Sequence, residues 1–315
     1  MADPITTSVT FPDGATTGTA TVLAARALPA GTGVIVDTTP FHPLDHSWLD
    51  QPCDLGTLVA GGAEYEVVDC VTGGIGPGGE FAVGVDIPVR RGDETWRRLV
   101  VHLVDGAAPA PGRQVELYVD EGRRAALSAA HTGCHLMALA LNEALADRWR
   151  TEVRVDGLGN PDFDGIAVVA SRIDVDSGTD RYRLGKSLRK RFDTDGLREA
   201  LPGLASKVNE RLAGRLAQDA PVRIDTPGPE LTARRQWVCE LPERTVAIPC
   251  GGTHLRRLGE LASLTVELTL AADGSERVAV TRHLTAEAAA PGNRKGGRKG
   301  GRREGGWAGT IGGSC

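Results

Sequence analysis

The chain has 315 residues, of which 41% are hydrophobic and 24% are charged. This composition excludes wholesale disorder, and the length is that of about two domains. No apolar run approaches the roughly 20 residues of a membrane-spanning helix, which excludes an integral membrane protein of that type. The first residues lack the basic and apolar regions of a secretory signal, and six cysteines are too few for a disulfide scaffold. We therefore expect a cytoplasmic protein with free or metal-bound thiols.

The net charge of −5 is unevenly distributed along the chain. From Pro291 onward there are six basic residues and one acidic residue, which leaves −10 on residues 1–290. An acidic body argues against broad, nonspecific binding of nucleic acid, although it allows a local basic patch.

The first 120 residues contain short segments rich in Val and Thr, separated by Gly, Pro and Asp turn signals. Strands of this length and spacing are typical of a small barrel or sandwich. The predicted strands are Thr19–Leu23, Gly33–Thr38, Glu64–Val71, Phe81–Ile87, Arg97–Val104 and Gln114–Val119.

After residue 122 the pattern changes to a mixture of helices and strands. The Ala/Leu-rich stretch from Arg123 to about Trp149 predicts a long helix, and Leu197 to about Gln218 predicts a second helix interrupted near Pro202. Between and after them the pattern predicts strands at Ile166–Ile173, Trp237–Ile248, Ala262–Leu270 and Arg277–Arg282, the last two joined by a turn at Asp273-Gly274. The mixture favours an α+β class.

Two motifs in this second half have the spacing of metal ligands. His131 and His135 are four residues apart on the predicted helix, so both imidazoles lie on one face. Cys250 and His254 flank Gly251-Gly252-Thr253, where two glycines would allow the thiol and the imidazole to converge. Either motif alone arises by chance, but together they form a plausible tetrahedral zinc set.

The two motifs, their order and the following Leu258-Gly259-Glu260 resemble alanyl-tRNA editing proteins of the AlaX type, which are freestanding relatives of the editing domain of alanyl-tRNA synthetase. The segments Thr39–Pro43 and Gln51–Gly56 resemble a further motif of that family. The resemblance implies an α+β editing domain at residues 122–284, preceded by a small β-barrel domain at residues 1–121. Residues 285–315 would then be a disordered tail rich in Gly, Arg and Lys.

The resemblance also implies an activity and a cofactor. One zinc per chain would be bound by His131, His135, Cys250 and His254, and the enzyme would hydrolyse the ester of a mischarged aminoacyl-tRNA, contacting the acceptor end. A zinc-stabilised tRNA-binding module without hydrolytic activity is the alternative that the residues leave open. The proton-transfer group and the oligomeric state do not follow from the sequence.

The chain departs from the family at two places near the expected substrate. The family's glycine-rich segment is replaced by residues 44–50, which include His46 and Trp48 and could equally form a surface loop. Cys134 stands where the family commonly has Thr. These changes make a threonine analogue such as fluorothreonine the expected aminoacyl group, with serine attached to tRNA(Ala) as the other candidate. We assign substrate binding to the set Cys134, Trp48, His46, Gln51 and Thr132.

Basic residues at two positions are candidates for contacts with tRNA phosphates. Arg189, Lys190 and Arg191 belong to a run of basic residues without an acid, and they could equally form a solvated loop. Arg256 and Arg257 lie beside the second metal motif, where they could instead pair with Glu260 or another surface acid.

Overall fold

The computed structural model describes residues 5–46, 50–270 and 277–285 of the chain. Three predicted features lie outside the described residues: Trp48, the turn at Asp273-Gly274 and the tail from residue 286 onward.

The first part of the chain forms an antiparallel sheet of seven strands. In chain order the strands before residue 120 are β1 (Ser8–Val9), β2 (Thr17–Leu28), β3 (Gly31–Val36), β4 (Thr38–Thr39), β5 (Gly56–Ala60), β6 (Ala63–Ile75), β7 (Phe81–Val83), β8 (Arg97–Val104) and β9 (Gln114–Val119). The sheet order is β5-β9-β2-β3-β8-β6-β7, and β5 also pairs with β6. Six strands therefore form a continuous cycle of antiparallel pairings, and β7 extends it beside β6. The two-residue strands β1 and β4 pair with each other in parallel.

Burial along β8 shows how this sheet is packed. Every residue from Leu99 to Val104 is buried, because alternate side chains enter two separate hydrophobic clusters. Val100 and Val104 belong to one cluster, while Leu99 and Val101 belong to the other. A continuous apolar run in an antiparallel sheet thus reflects cover on both faces.

The long helix α1 (Glu121–Ala144) follows β9 directly. It begins two residues earlier than predicted, because the Asp120 side chain caps it by accepting a hydrogen bond from the Arg123 backbone N–H at 3.0 Å. In its first turn, the buried Arg124 forms an ion pair with the buried Asp54, whose Oδ1 accepts from Nε at 2.9 Å. This pair joins the start of α1 to the segment that contains Gln51.

The remaining chain builds two smaller antiparallel sheets around α1 and a second long helix. In chain order the elements after α1 are α2 (Phe163–Ala167), β10 (Val168–Ile173), β11 (Ser177–Arg183), α3 (Lys186–Arg189), α4 (Leu197–Ala217), β12 (Val222–Asp225), β13 (Gln236–Glu240), β14 (Thr245–Pro249), β15 (Ser263–Leu270) and β16 (Arg277–Thr285). The second long helix is α4. The sheet orders are β10-β11-β16-β15 and β12-β13-β14. A single hydrophobic cluster composed of residues from 127 to 266 fills the space between these elements. The fold therefore mixes helices with antiparallel strands.

The structure corrects three expectations for this half. The predicted single strand Trp237–Ile248 is an antiparallel hairpin of β13 and β14, in which Trp237 pairs with Ile248. The predicted strand Ile166–Ile173 starts only at Val168, because Asp162 caps the short α2 by accepting from the Gly165 N–H. Helix α4 continues through Pro202 without the predicted interruption. Leu201 and Leu204 on either side of this proline are buried in the core, so packing holds the turn in place. None of the helices in the described part of the chain has the length and apolar character needed to span a membrane.

Candidate metal centre

The two histidines of the first motif lie on one face of α1, as their spacing predicts. Their ring centroids are 5.2 Å apart, and His131 is only 3% exposed. The second motif reaches the same face from the end of β14, where the Cys250 N–H donates to the Arg235 carbonyl at 3.1 Å. The His254 ring then lies 4.2 Å from that of His131 and 5.1 Å from that of His135.

One potential ligand atom from each of His131, His135, Cys250 and His254 lies within 4.8 Å of all the others. The Cys250 Sγ is 3.3 Å from His131 Nε2 and 3.2 Å from His254 Nε2. Bond lengths of about 2.0–2.3 Å at a tetrahedral zinc place ligand atoms roughly 3.3–3.7 Å apart, close to these separations. The three imidazoles and the thiol can therefore hold one metal ion.

Gly252 contributes space to this cluster. A Cβ at this position would lie 2.4 Å from His131 Nδ1 and 2.5 Å from the Gln51 Oε1. A Cβ on Gly251 would meet its nearest neighbour, Arg91 Nη2, at 3.6 Å. Neither glycine has a positive φ, so the expected tight turn is not the reason for glycine here. Close packing against His131 therefore requires a glycine at position 252 but not at position 251.

Gln51 fixes the orientation of His131. The Gln51 Oε1 accepts the Thr253 backbone N–H at 3.0 Å, and its Nε2 donates to the Thr253 Oγ1 at 2.9 Å, which defines the two ends of the amide. The same Oε1 lies 2.7 Å from His131 Nδ1. Since an amide oxygen only accepts, Nδ1 carries the proton and Nε2 directs its lone pair toward Cys250.

Thr132 contacts the Nδ1 atom of His254, as Gln51 contacts the Nδ1 atom of His131. Its hydroxyl is 3.3 Å from His254 Nδ1 and accepts the Leu255 backbone N–H at 3.1 Å. Thr132 is completely buried. The polar groups of both Gln51 and Thr132, which we expected to contact substrate, are thus bonded to ligand side chains and to the loop that carries them.

Burial shifts the pKa values of two side chains in the cluster, Cys250 and His254. It raises the pKa of the Cys250 thiol to about 12. It also lowers the pKa of His254 well below its usual value, and the neighbouring imidazoles of His131 and His135 lower it further. Neutral imidazoles are in the form that binds metals, whereas the thiol needs a nearby cation to lose its proton.

A cavity of about 340 Å³ opens beside the cluster, and we call it the metal cavity. His131, His135 and Cys250 line it, together with Cys134, Asp50 and other residues. The Asp50 carboxylate is 3.8 Å from His131 Nε2 and therefore lies next to the metal position. Cys134, which we assigned to substrate binding, thus lines the cavity that contains the ligands. Asp50 was not singled out from the sequence, although it ends the segment 44–50 that departs from the family.

The chain is similar to alanine–tRNA ligases over most of its length, although no protein-family model matches it. The ligase of Pyrobaculum aerophilum is 25% identical over 264 residues, which cover 81% of this chain and 25% of the ligase. For Pyrobaculum calidifontis the identity is 27% over 272 residues, covering 80% and 24% of the two chains. For Halorubrum lacusprofundi it is 28% over 282 residues, covering 84% and 24%. The chain thus spans about a quarter of the length of these relatives.

This similarity supports the relationship to alanyl-tRNA synthetase that the motifs indicated. It covers about four fifths of the chain at identities of 25–28% in these three relatives.

His46 lines a second cavity, which shares Arg91 and Gly251 with the metal cavity. The His46 ring packs on Gly84, where a Cβ would lie 2.8 Å from His46 Cε1. His46 therefore lies in the cavity that adjoins the metal cavity and does not line the metal cavity itself.

The predicted tRNA contacts occupy different environments. Arg189, Lys190 and Arg191 are exposed at the end of α3 and just beyond it. The Arg257 guanidinium forms an ion pair with Asp219 at 2.7 Å. Pairing with a surface acid was the alternative to a phosphate contact that the sequence left open for this arginine. Arg256 Nη2 donates to the Asp13 carbonyl at 2.7 Å and thereby links the second motif to the first part of the chain.

Proposed function

We propose that the chain is a trans-editing aminoacyl-tRNA deacylase, which hydrolyses the ester between an amino acid and the terminal ribose of a mischarged tRNA. The observation that carries the proposal is the cluster of three imidazoles and one thiol beside a cavity. The similarity to alanine–tRNA ligases supports a tRNA ester as the substrate. We propose zinc as the metal, one per chain, because this donor set suits zinc.

Within this proposal, each residue near the metal has a physical task. Zinc, when bound, would polarise the ester carbonyl and make a bound water more acidic. Gln51 and Thr132 hold His131 and His254 in the orientation that ligation requires. Asp50, 3.8 Å from His131 Nε2, is placed to accept a proton from the attacking water.

For the aminoacyl group we propose a threonine analogue, such as fluorothreonine, with serine as the second candidate. Cys134 is 7% exposed and lines the metal cavity, where the related family commonly has Thr. A thiol is a weaker hydrogen-bond partner than a hydroxyl, so it would give less preference to the small hydroxyl of serine. The cavity volume of about 340 Å³ accommodates a larger side chain.

For the RNA we propose contact at the acceptor end, with Arg189, Lys190 and Arg191 meeting backbone phosphates. All three side chains are exposed. Since the body of the protein is acidic, such contacts would be few and salt-dependent.

The test is metal analysis followed by deacylation of purified seryl-, threonyl- and fluorothreonyl-tRNA. We expect about one zinc per chain and hydrolysis that is fastest with fluorothreonyl-tRNA. Preference for seryl-tRNA would overturn the analogue assignment. Cys250→Ser should lose activity while keeping its fold, as judged by circular dichroism and thermal melting. If the wild type binds tRNA and zinc but hydrolyses none of the esters, the non-hydrolytic binding module is the correct function.

A further inference from the structure

The second cavity, which we call the arginine cavity, adjoins the metal cavity. It has a volume of about 290 Å³ and lies between the first part of the chain and the loop that carries Cys250. Arg91 and Gly251 line both cavities. Because Gly251 directly follows Cys250, a molecule that occupies both cavities passes next to a metal ligand.

The arginine cavity is strongly basic. Four arginines line it, and Asp45 is the one carboxylate among its described lining residues. Asp45 forms an ion pair with Arg91. The arginines that remain after this pairing are Arg90, Arg98 and Arg235. None of these three forms an ion pair within the described part of the chain, so the cavity carries an excess of positive charge that favours an anion.

Backbone carbonyls hold two of these arginines in place. Arg235 is 3% exposed, and its Nη2 and Nη1 donate to the carbonyls of Glu230 and Leu231 at 2.6 and 3.2 Å. Arg98 Nη2 donates to the carbonyls of Val89 and Arg90 at 2.8 and 3.0 Å. These contacts fix the guanidinium groups without neutralising them, which makes a preorganised anion site.

Polar atoms without a partner lie in the same wall. His42 is 7% exposed, and among the described residues its Nδ1 has no hydrogen-bond partner. The same holds for the Nε atoms of Arg98 and Arg235. His46 Nδ1, in the same wall, is the fourth such nitrogen. Buried polar groups are normally paired, so a polar ligand would complete this wall after small side-chain adjustments.

The rest of the lining is apolar. Phe11, Ile87 and Leu231 contribute buried apolar surface, and Val85 lines the cavity while 79% exposed. A ligand that matches this wall combines an anionic group with a flat or apolar body. The volume, near the lower end of the roughly 300–1,000 Å³ of small-molecule sites, suits one such unit.

We propose that the arginine cavity binds the terminal nucleotide of the RNA. Its phosphate lies at Arg90 and Arg98, its base packs against Val85 and Ile87, and its ribose ester reaches the metal cavity past Gly251. This inference rests on the proposed deacylase function. It assigns recognition of the terminal nucleotide to the wall that Arg90 and Arg98 line.

The binding test uses adenosine 5′-monophosphate (AMP) as the probe and isothermal titration calorimetry of the full chain, with and without zinc. We expect AMP to bind more tightly than inorganic phosphate, and Arg90→Gln to weaken AMP binding about tenfold through loss of a charge-assisted contact. The control is Arg97→Gln, since Arg97 is an exposed residue of β8 that lines neither cavity. Equal affinities for phosphate and AMP, or unchanged AMP binding in Arg90→Gln, would overturn the nucleotide assignment.

A kinetic test separates this inference from the proposed function. With an aminoacyl-tRNA that the wild type hydrolyses, Arg90→Gln should raise KM about tenfold with a smaller effect on kcat, and Val85→Asp should raise KM further by placing a carboxylate at the apolar rim. Hydrolysis with an unchanged KM in both variants would overturn the nucleotide subsite and leave the deacylase intact. AMP binding that is lost in Arg90→Gln, in a protein that hydrolyses no ester, would support the nucleotide cavity and overturn the deacylase.

Discussion

The side chain of Gln51 hydrogen-bonds to His131 across 80 residues of sequence, with 2.7 Å between Oε1 and Nδ1. The amide is itself held at both ends by Thr253. A single residue from the first part of the chain thereby connects the helix that carries one metal motif to the loop that carries the other. Partners of this kind set the tautomer and direction of a metal-binding imidazole.

Replacing Gln51 should therefore weaken metal binding. In Gln51→Ala, we expect zinc affinity to fall about 10- to 100-fold, because His131 loses its orienting acceptor. Competition with a chromogenic chelator measures this affinity. The control is Gln114→Ala, which removes an exposed Gln on β9 whose amide bonds to the Thr21 hydroxyl. Equal zinc affinities in the two variants would show that Gln51 does not support the ligand.

The two adjacent glycines of the second motif should respond differently to substitution. Gly252→Ala places a methyl group 2.4 Å from His131 Nδ1, so we expect at least a tenfold loss of zinc affinity. Gly251→Ala is the matched control, since its methyl group meets its nearest neighbour at 3.6 Å. The measurement is zinc content after dialysis against a weak chelator. Similar losses in both variants would contradict the steric argument.

Asp50 should affect catalysis more than metal binding. If its carboxylate accepts a proton, Asp50→Asn should lower kcat for deacylation about 10²- to 10⁴-fold while the protein still binds one zinc. Asp105→Asn, at an exposed loop position, is the control. Loss of zinc in Asp50→Asn would instead identify Asp50 as part of the metal-binding set, and full activity would exclude it from the reaction.

The local parts of this structure follow from the sequence. The bounds of β8 and β9 agree with their prediction, because alternation and Val-rich runs are local signals. The residues of the metal cluster could also be predicted from the sequence, because each motif places two ligands within one helical turn or one short loop. The short β5 was missed because its five residues begin with a Gly and carry no alternating pattern.

Contacts between distant segments could not be predicted. The buried pair of Arg124 and Asp54 and the bond between Gln51 and His131 each join residues 70 or more positions apart. Nothing in the local spacing of either segment specifies its partner. Gln51 and Thr132 were therefore expected to contact substrate, whereas their polar groups are bonded within the protein.

The buried histidine of the first sheet predicts how stability depends on pH. Burial lowers the pKa of His102 to about 4, and its two ring nitrogens lie 2.8 Å from the Thr39 hydroxyl and 3.0 Å from the Val34 carbonyl. Since an unfolded His titrates near 6.5, the unfolded chain binds more protons between pH 6.5 and 4. The free energy of unfolding should therefore fall as the pH is lowered through this window, by up to about 3 kcal/mol from His102.

Urea unfolding at pH 7 and pH 4.5 measures this dependence, with His102→Gln as the test variant. The variant loses stability at pH 7, because the buried contacts of the ring are disrupted, but its free energy of unfolding should fall less between the two pH values than that of the wild type. Other buried histidines, including His42 with its pKa lowered to about 4, titrate in both proteins and cancel in the comparison. An identical fall in the two proteins would show that His102 is protonated equally in the folded and unfolded states.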